Sequence, residues 1–192
     1  MTSPMPSLPD DPAAACAILR KLANHLPQAA TFEVATRGLA HRREGVQVCA
    51  AQTLASWRDH EAVPYLRQWL CELLTARHYS WAAATQAVRA LVACIDNTDA
   101  TWVLDAYFDR KLSKRRRHLL PLVIAVEAEV LGARILEELR SDEPDIRLAA
   151  LEIACQSQLP ERSRLIASMQ HDASYSVAQR ARQYLASNET AG

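Results

Sequence analysis

Apolar residues recur along Gly45–Leu74 with the spacing of two amphipathic helices joined by a short polar turn. Val46, Ala50 and Leu54 stand four apart, which places them on one helical face, with small Ala51 and Ala55 beside them. Trp57 ends that face. Asp59 has the chemistry of an N-cap, and Pro64 is confined to the first turn or two of the next helix, where a missing N–H costs little. Val63, Leu66, Leu70, Leu73 and Leu74 supply the second stripe. One helix pair cannot bury both stripes, so the pattern requires copies of itself.

The copies are present. The trio at 46, 50 and 54 returns as Ala83, Ala87, Leu91, as Ile146, Ala150, Ala154, and as Val177, Ala181, Leu185; a weaker version, Arg115, Leu119, Val123, fills the gap. The starts at 46, 83, 115, 146 and 177 are separated by 37, 32, 31 and 31 residues. A near-constant period of this size predicts a stack of supersecondary units, an α-solenoid in which alanine at the middle position lets neighbouring helices approach closely. Asp11 as N-cap and Pro12 at the first helical position open a first helix with the stripe Ala14, Ile18, Leu22, and a second runs over about 28–40 with Gly38 or Gly45 near its end. Further pairs are expected over 80–94 with 98–110, 113–128 with 130–140, and 145–156 with 160–170, and Pro121 should bend the helix it interrupts. A polar-faced helix over 175–187 would cap the stack. Residues 1–10 read as a disordered arm, 11–187 as a single domain and 188–192 as a frayed tail.

The runs Val46-Gln47-Val48-Cys49-Ala50-Ala51, Asp59-His60-Glu61-Ala62-Val63-Pro64-Tyr65-Leu66, and Asp142-Glu143-Pro144-Asp145-Ile146-Arg147 with Ala149-Ala150 resemble bacterial HEAT repeats, also called PBS-lyase-like repeats. The resemblance covers roughly residues 12–186 and departs from the family pattern at Arg115–Arg117, where basic residues replace the expected turn and Val-Arg. It implies an all-α, right-handed superhelix of about five HEAT-like helix pairs plus a C-terminal capping helix. It speaks to architecture far more than to function.

Composition narrows the classes of activity. Hydrophobic residues make up 49% of the chain, which argues against disorder, and only four glycines argue against a β-sandwich or a phosphate-cradling Gly-rich loop. Basic and acidic residues number 22 each, so no bulk field favours nucleic acid or a membrane. The five cysteines are odd in number and scattered, which reads as reduced thiols packed as small hydrophobes in a cytoplasmic protein. No apolar run approaches the ~18 residues of a membrane span, and the start MTSPMPSLPD has no basic and hydrophobic leader.

Catalytic motifs are missing. His60-Glu61 lacks the second histidine of a zinc-protease helix, no two cysteines stand three apart, and no Gly-x-Ser-x-Gly elbow occurs. The six histidines are dispersed, most of them near predicted helix ends. No catalytic residue, metal site or cofactor is therefore expected.

One charge feature stands out. Arg110, Lys111, Lys114, Arg115, Arg116 and Arg117 place six cations in eight positions, and those at the following helix N-terminus oppose the macrodipole. Such a cluster suits an acidic partner, an acidic protein segment before a phosphate backbone. Trp102 falls opposite the stripe of its helix and should be exposed beside these cations, the composition of a binding hot spot. Trp69 should be core, and Trp57 and Trp81 structural at helix edges. With Arg67 from the second-helix face, these residues are the expected contacts of a non-enzymatic scaffold or adaptor that binds a partner protein in a groove lined by the second helix of each pair. The family resemblance implies two alternatives. One is an auxiliary subunit of a bilin-lyase-type enzyme; the other is a nucleic-acid-binding or alkylpurine DNA glycosylase-like protein, in which Trp102 and Asp105 would meet a cationic base and a developing sugar cation.

Overall fold

The computed structural model describes residues 8–157, 159 and 162–189. Among these the chain is all-helical, with eleven α-helices linked by short turns and 3-10 segments. It divides into two compact units, Met1–Asp96 and Asn97–Gly192, and each is described by itself.

The first unit holds α1 (Pro12–Ala23), α2 (Ala29–Leu39), α3 (Glu44–Trp57), α4 (Val63–Thr75) and α5 (Trp81–Cys94). Its helix starts follow their local chemistry. Asp11 accepts from the Ala14 N–H at 2.8 Å with Pro12 next in line, Ser80 accepts from Ala83 at 3.2 Å, and Asp59 caps a 3-10 turn that leads into α4 with Pro64 in its first turn. Helix α3 packs against α1, α2 and α5, while α2 also meets α4. Val46, Ala50 and Leu54 on α3 and Ala83, Ala87 and Leu91 on α5 are completely buried. Helices α2 and α3 approach closely: a Cβ added to Gly38 would lie 2.7 Å from the Ala50 Cβ. Side chains also tie α3 to α1 and to the turn that follows α1. The Thr53 hydroxyl donates to the Leu19 carbonyl at 3.0 Å, and the Trp57 indole to the His25 carbonyl at 2.8 Å.

The second unit holds α6 (Ala100–Phe108), α7 (Leu120–Ala125), α8 (Ala128–Glu138), α9 (Pro144–Gln156), α10 (Arg162–Ser168) and α11 (Tyr175–Glu189). Helix α9 touches α7, α8, α10 and α11, and α6 rests on α7. In the repeated trio Leu119 and Val123, Ile146, Ala150 and Ala154, and Val177 and Ala181 are buried, while Arg115 and Leu185 are half-buried. The turn before α9 is fastened by Arg147, whose guanidinium makes two parallel 2.8 Å bonds to the Asp172 carboxylate and a third to the Ser141 carbonyl.

Several boundaries differ from the sequence expectation, each for a local reason. Pro121 does not bend a helix over 113–128. It sits in the first turn of α7, where no N–H is needed, and residues 110–112 and 116–118 form 3-10 turns instead. Helix α11 reaches Glu189, two residues into the expected frayed tail, whose residues 190–192 lie outside the described ones, as do residues 1–7 of the expected arm. Trp69 is core as expected, at 3% exposure; Trp81, expected to be structural, is 65% exposed. His118 is buried, and burial lowers its pKa.

All five cysteines are free thiols, and Cys71 alone is exposed. Burial pushes Cys94 and Cys155 up to about 11. Ellman's reagent at neutral pH should therefore modify Cys71 first, with the buried thiols reacting only on addition of denaturant. Rapid reaction of Cys94 or Cys155 in the folded protein would contradict the packing of α5 and α9.

Candidate partner-binding site

The basic segment is built by turns. Asp109 accepts from the Lys111 N–H at 2.8 Å and starts a 3-10 turn over Arg110–Leu112; a second turn over Arg116–His118 delivers the chain to α7. Alternation of turn and turn points successive cations in different directions.

Arg116, expected among the partner contacts, is 8% exposed. Its Nε donates to the Tyr107 carbonyl at 2.7 Å, its Nη1 to the Asp145 carbonyl at 3.1 Å, and its guanidinium lies 5.7 Å from the centre of the Tyr107 ring. Those bonds strap the basic turn to α6 and to the start of α9, which is a structural job. Arg110 forms an ion pair with Glu143. Arg115 is half-buried. Lys111, Lys114 and Arg117 are exposed, and the side chains of Lys114 and Arg117 make no hydrogen bond or ion pair among the described residues.

Trp102, expected to be exposed, is half-buried, and its indole N–H donates to the Asp99 carboxylate at 2.8 Å. Asp105 turns elsewhere, its Oδ1 3.8 Å from Arg134 Nη2. The two residues thus engage different partners and do not converge as a pair. Arg67 is exposed on α4 of the first unit.

Each unit carries a groove between two of its helices. In the first, α2 and α4 flank a groove of about 160 Å³ lined by Thr36, Leu39, Ala40, Tyr65, Gln68, Trp69 and Glu72. In the second, α6 and α8 flank one of about 320 Å³, and its lining includes Thr101, Leu104, Asp105, Val130, Ala133, Arg134 and Glu137. Every residue of the first groove has its counterpart 65 positions further on, from Thr36 and Thr101 to Glu72 and Glu137. Threonine, leucine and glutamate recur unchanged, while Ala40, Tyr65 and Trp69 become Asp105, Val130 and Arg134. The frame of the groove repeats, while the variable positions lose two aromatic rings and gain one charge of each sign. The trio pattern marks α3, α5, α7, α9 and α11, whereas the grooves lie on α2, α4, α6 and α8, and the 65-residue correspondence of their linings is missed by a scan for apolar periodicity. Only matching polar positions between repeats would have found it.

A third cleft, of about 390 Å³, opens beside the basic turn in the second unit, with Ser113, Lys114, Arg116 and Arg117 on one side and α9 on the other. Below it the Tyr107 hydroxyl is fully buried, and burial, with the neighbouring Glu152 charge second, pushes its phenol up.

No protein-family model matches this chain, and no curated protein matches it. Among solved structures, the chain is similar to the crystal structure of an engineered protein at 16% identity and a TM-score of 0.39, over 94% of this chain and 91% of that one.

Proposed function

We propose that this protein is a non-enzymatic scaffold: a right-handed α-solenoid of HEAT-like helix pairs that holds a segment of a partner protein on the second-helix face and at the basic turn. The observation that carries this reading is the pair of repeat-equivalent grooves, whose frame recurs while the side chains facing solvent vary. Separately tunable positions on a repeated frame suit recognition better than a single catalytic centre. Exposed Tyr65 in the first groove offers the aromatic contact typical of binding surfaces. Lys114 and Arg117 add unpaired positive charge for an acidic stretch of the partner. Arg116 supports this surface from below.

The test is a pull-down from native cell extract, with wild type beside Lys114→Glu/Arg117→Glu, with and without nuclease. The scaffold reading predicts a protein band that survives nuclease and is lost in the double variant, whose melting temperature stays within about 2 °C of wild type because both side chains are exposed. Arg116→Glu should instead lower the melting temperature, since it buries a carboxylate against the carbonyls Arg116 now serves. Capture that is unaffected by the double reversal sinks the proposal, and loss of all captured material after nuclease moves the weight to nucleic acid.

A further inference from the structure

The cleft beside the basic turn has walls of opposite sign. One wall carries Lys114, Arg116 and Arg117, with the Ser113 hydroxyl; the other is the face of α9 that presents Asp145 and Glu152. These two acids stand seven residues apart, two helical turns, with Leu148 and Ala149 lining the space between them. No ion pair forms across this cleft among the described residues, so both walls keep charge to offer a ligand. Arg116 sets the frame of the cleft, because its bonds to the Tyr107 and Asp145 carbonyls fix the turn relative to α9.

A ligand of one sign would meet attraction on one wall and repulsion on the other. A purely acidic segment gains Lys114 and Arg117 but faces Asp145 and Glu152; a phosphate backbone has the same difficulty and no second charge to offer. We propose that this cleft docks a mixed-charge segment of the partner protein, in which a carboxylate side chain meets Lys114 and Arg117 and a neighbouring lysine or arginine meets Asp145 and Glu152. The apolar strip of Leu148 and Ala149 receives the aliphatic stems of those side chains. Arg116 is a positioning residue here. This inference rests on the scaffold reading and narrows it from an acidic partner to one that carries both signs.

The experiment uses the full-length chain and three fluorescein-labelled octapeptides, alternating Glu-Lys, all-Glu and all-Lys, with a single-stranded DNA oligonucleotide as a fourth probe, read by anisotropy at low salt. The alternating peptide should bind about tenfold more tightly than either single-sign peptide. Lys114→Glu/Arg117→Glu should weaken it about tenfold, and so should Glu152→Lys. Combining Lys114→Glu/Arg117→Glu with Asp145→Lys/Glu152→Lys, which exchanges the signs of the walls, should restore most of the lost affinity. A structural defect would be cumulative and would not be restored. If the all-Glu peptide binds as well as the alternating one and Glu152→Lys strengthens it, the scaffold reading stands and the mixed-charge inference falls. If the oligonucleotide binds best, with the same strengthening by Glu152→Lys, both fall. If no probe binds, the mixed-charge inference falls, and the scaffold reading is decided by the pull-down.

Discussion

Arg147→Ala is expected to cost about 3–5 kcal/mol of folding stability, the largest effect of any polar substitution in the second unit. The magnitude follows from what is left behind. Arg147 and Asp172 have side chains only 13% and 7% exposed, and the pair is held by two parallel 2.8 Å bonds, with Asp172 Oδ1 also accepting from the Ser174 N–H at 2.7 Å. Removing the guanidinium leaves a nearly buried carboxylate without its charge partner and the Ser141 carbonyl without a donor. Surface pairs, such as Asp105 with Arg134, contribute far less. Hydrogen bonding from Arg147 holds the Asp172 carboxyl below its ordinary value of 3.8. A depressed carboxyl stabilises the folded state above the unfolded pKa and loses that contribution as the pH falls through the folded one. The gap between wild type and Arg147→Ala in urea denaturation should therefore be full at pH 7 and shrink below about pH 3.8. A cost under about 1 kcal/mol at pH 7 would show that the pair behaves as a surface ion pair.

Gly38→Val is expected to cost about 3 kcal/mol through the opposite defect, too much matter in too little space. The first atom added, Cβ, already lies 2.7 Å from the Ala50 Cβ and 3.5 Å from the Leu19 Cδ1, and the neighbours are methyl groups on fixed helices. Gly38→Ala sets two effects against each other: the better helix former returns up to about 1 kcal/mol, and overpacking costs about 1–3. The clash should win narrowly. Ala50→Gly, harmful by itself, should then recover stability in the Gly38→Ala background, and a double-mutant cycle read by urea denaturation would give a favourable coupling. Additive effects of the two substitutions would mean that α2 and α3 do not meet there.

The helices were legible because burial on one face imposes a period that side chains must obey. The trios from Val46, Ala83, Ile146 and Val177 all mark buried faces, and Asp11, Asp59 and Ser80 cap where their chemistry directs. The site was much less legible. A run of cations in a sequence reads as one patch, but the 3-10 turns at Arg110–Leu112 and Arg116–His118 send Arg116 inward and leave Lys114 and Arg117 outside. A helical wheel places Trp102 opposite its stripe, yet the wheel knows nothing of Asp99 one turn back, whose carboxylate draws the indole in. Glu152 entered the picture only because Asp145 and Glu152 share a face of α9 beside that turn. Such relations join positions about 30 residues apart, and no local pattern reports them.

Hydrogen–deuterium exchange on the protein alone and with the partner captured from extract tests the central claim most directly. The scaffold account predicts slowed exchange in the helices that flank the grooves, α2 with α4 and α6 with α8, and in the basic turn over 110–118, with little change in α3, α5 and α11. Protection confined to α3, α5 and α11, or none outside the chain termini, would contradict it.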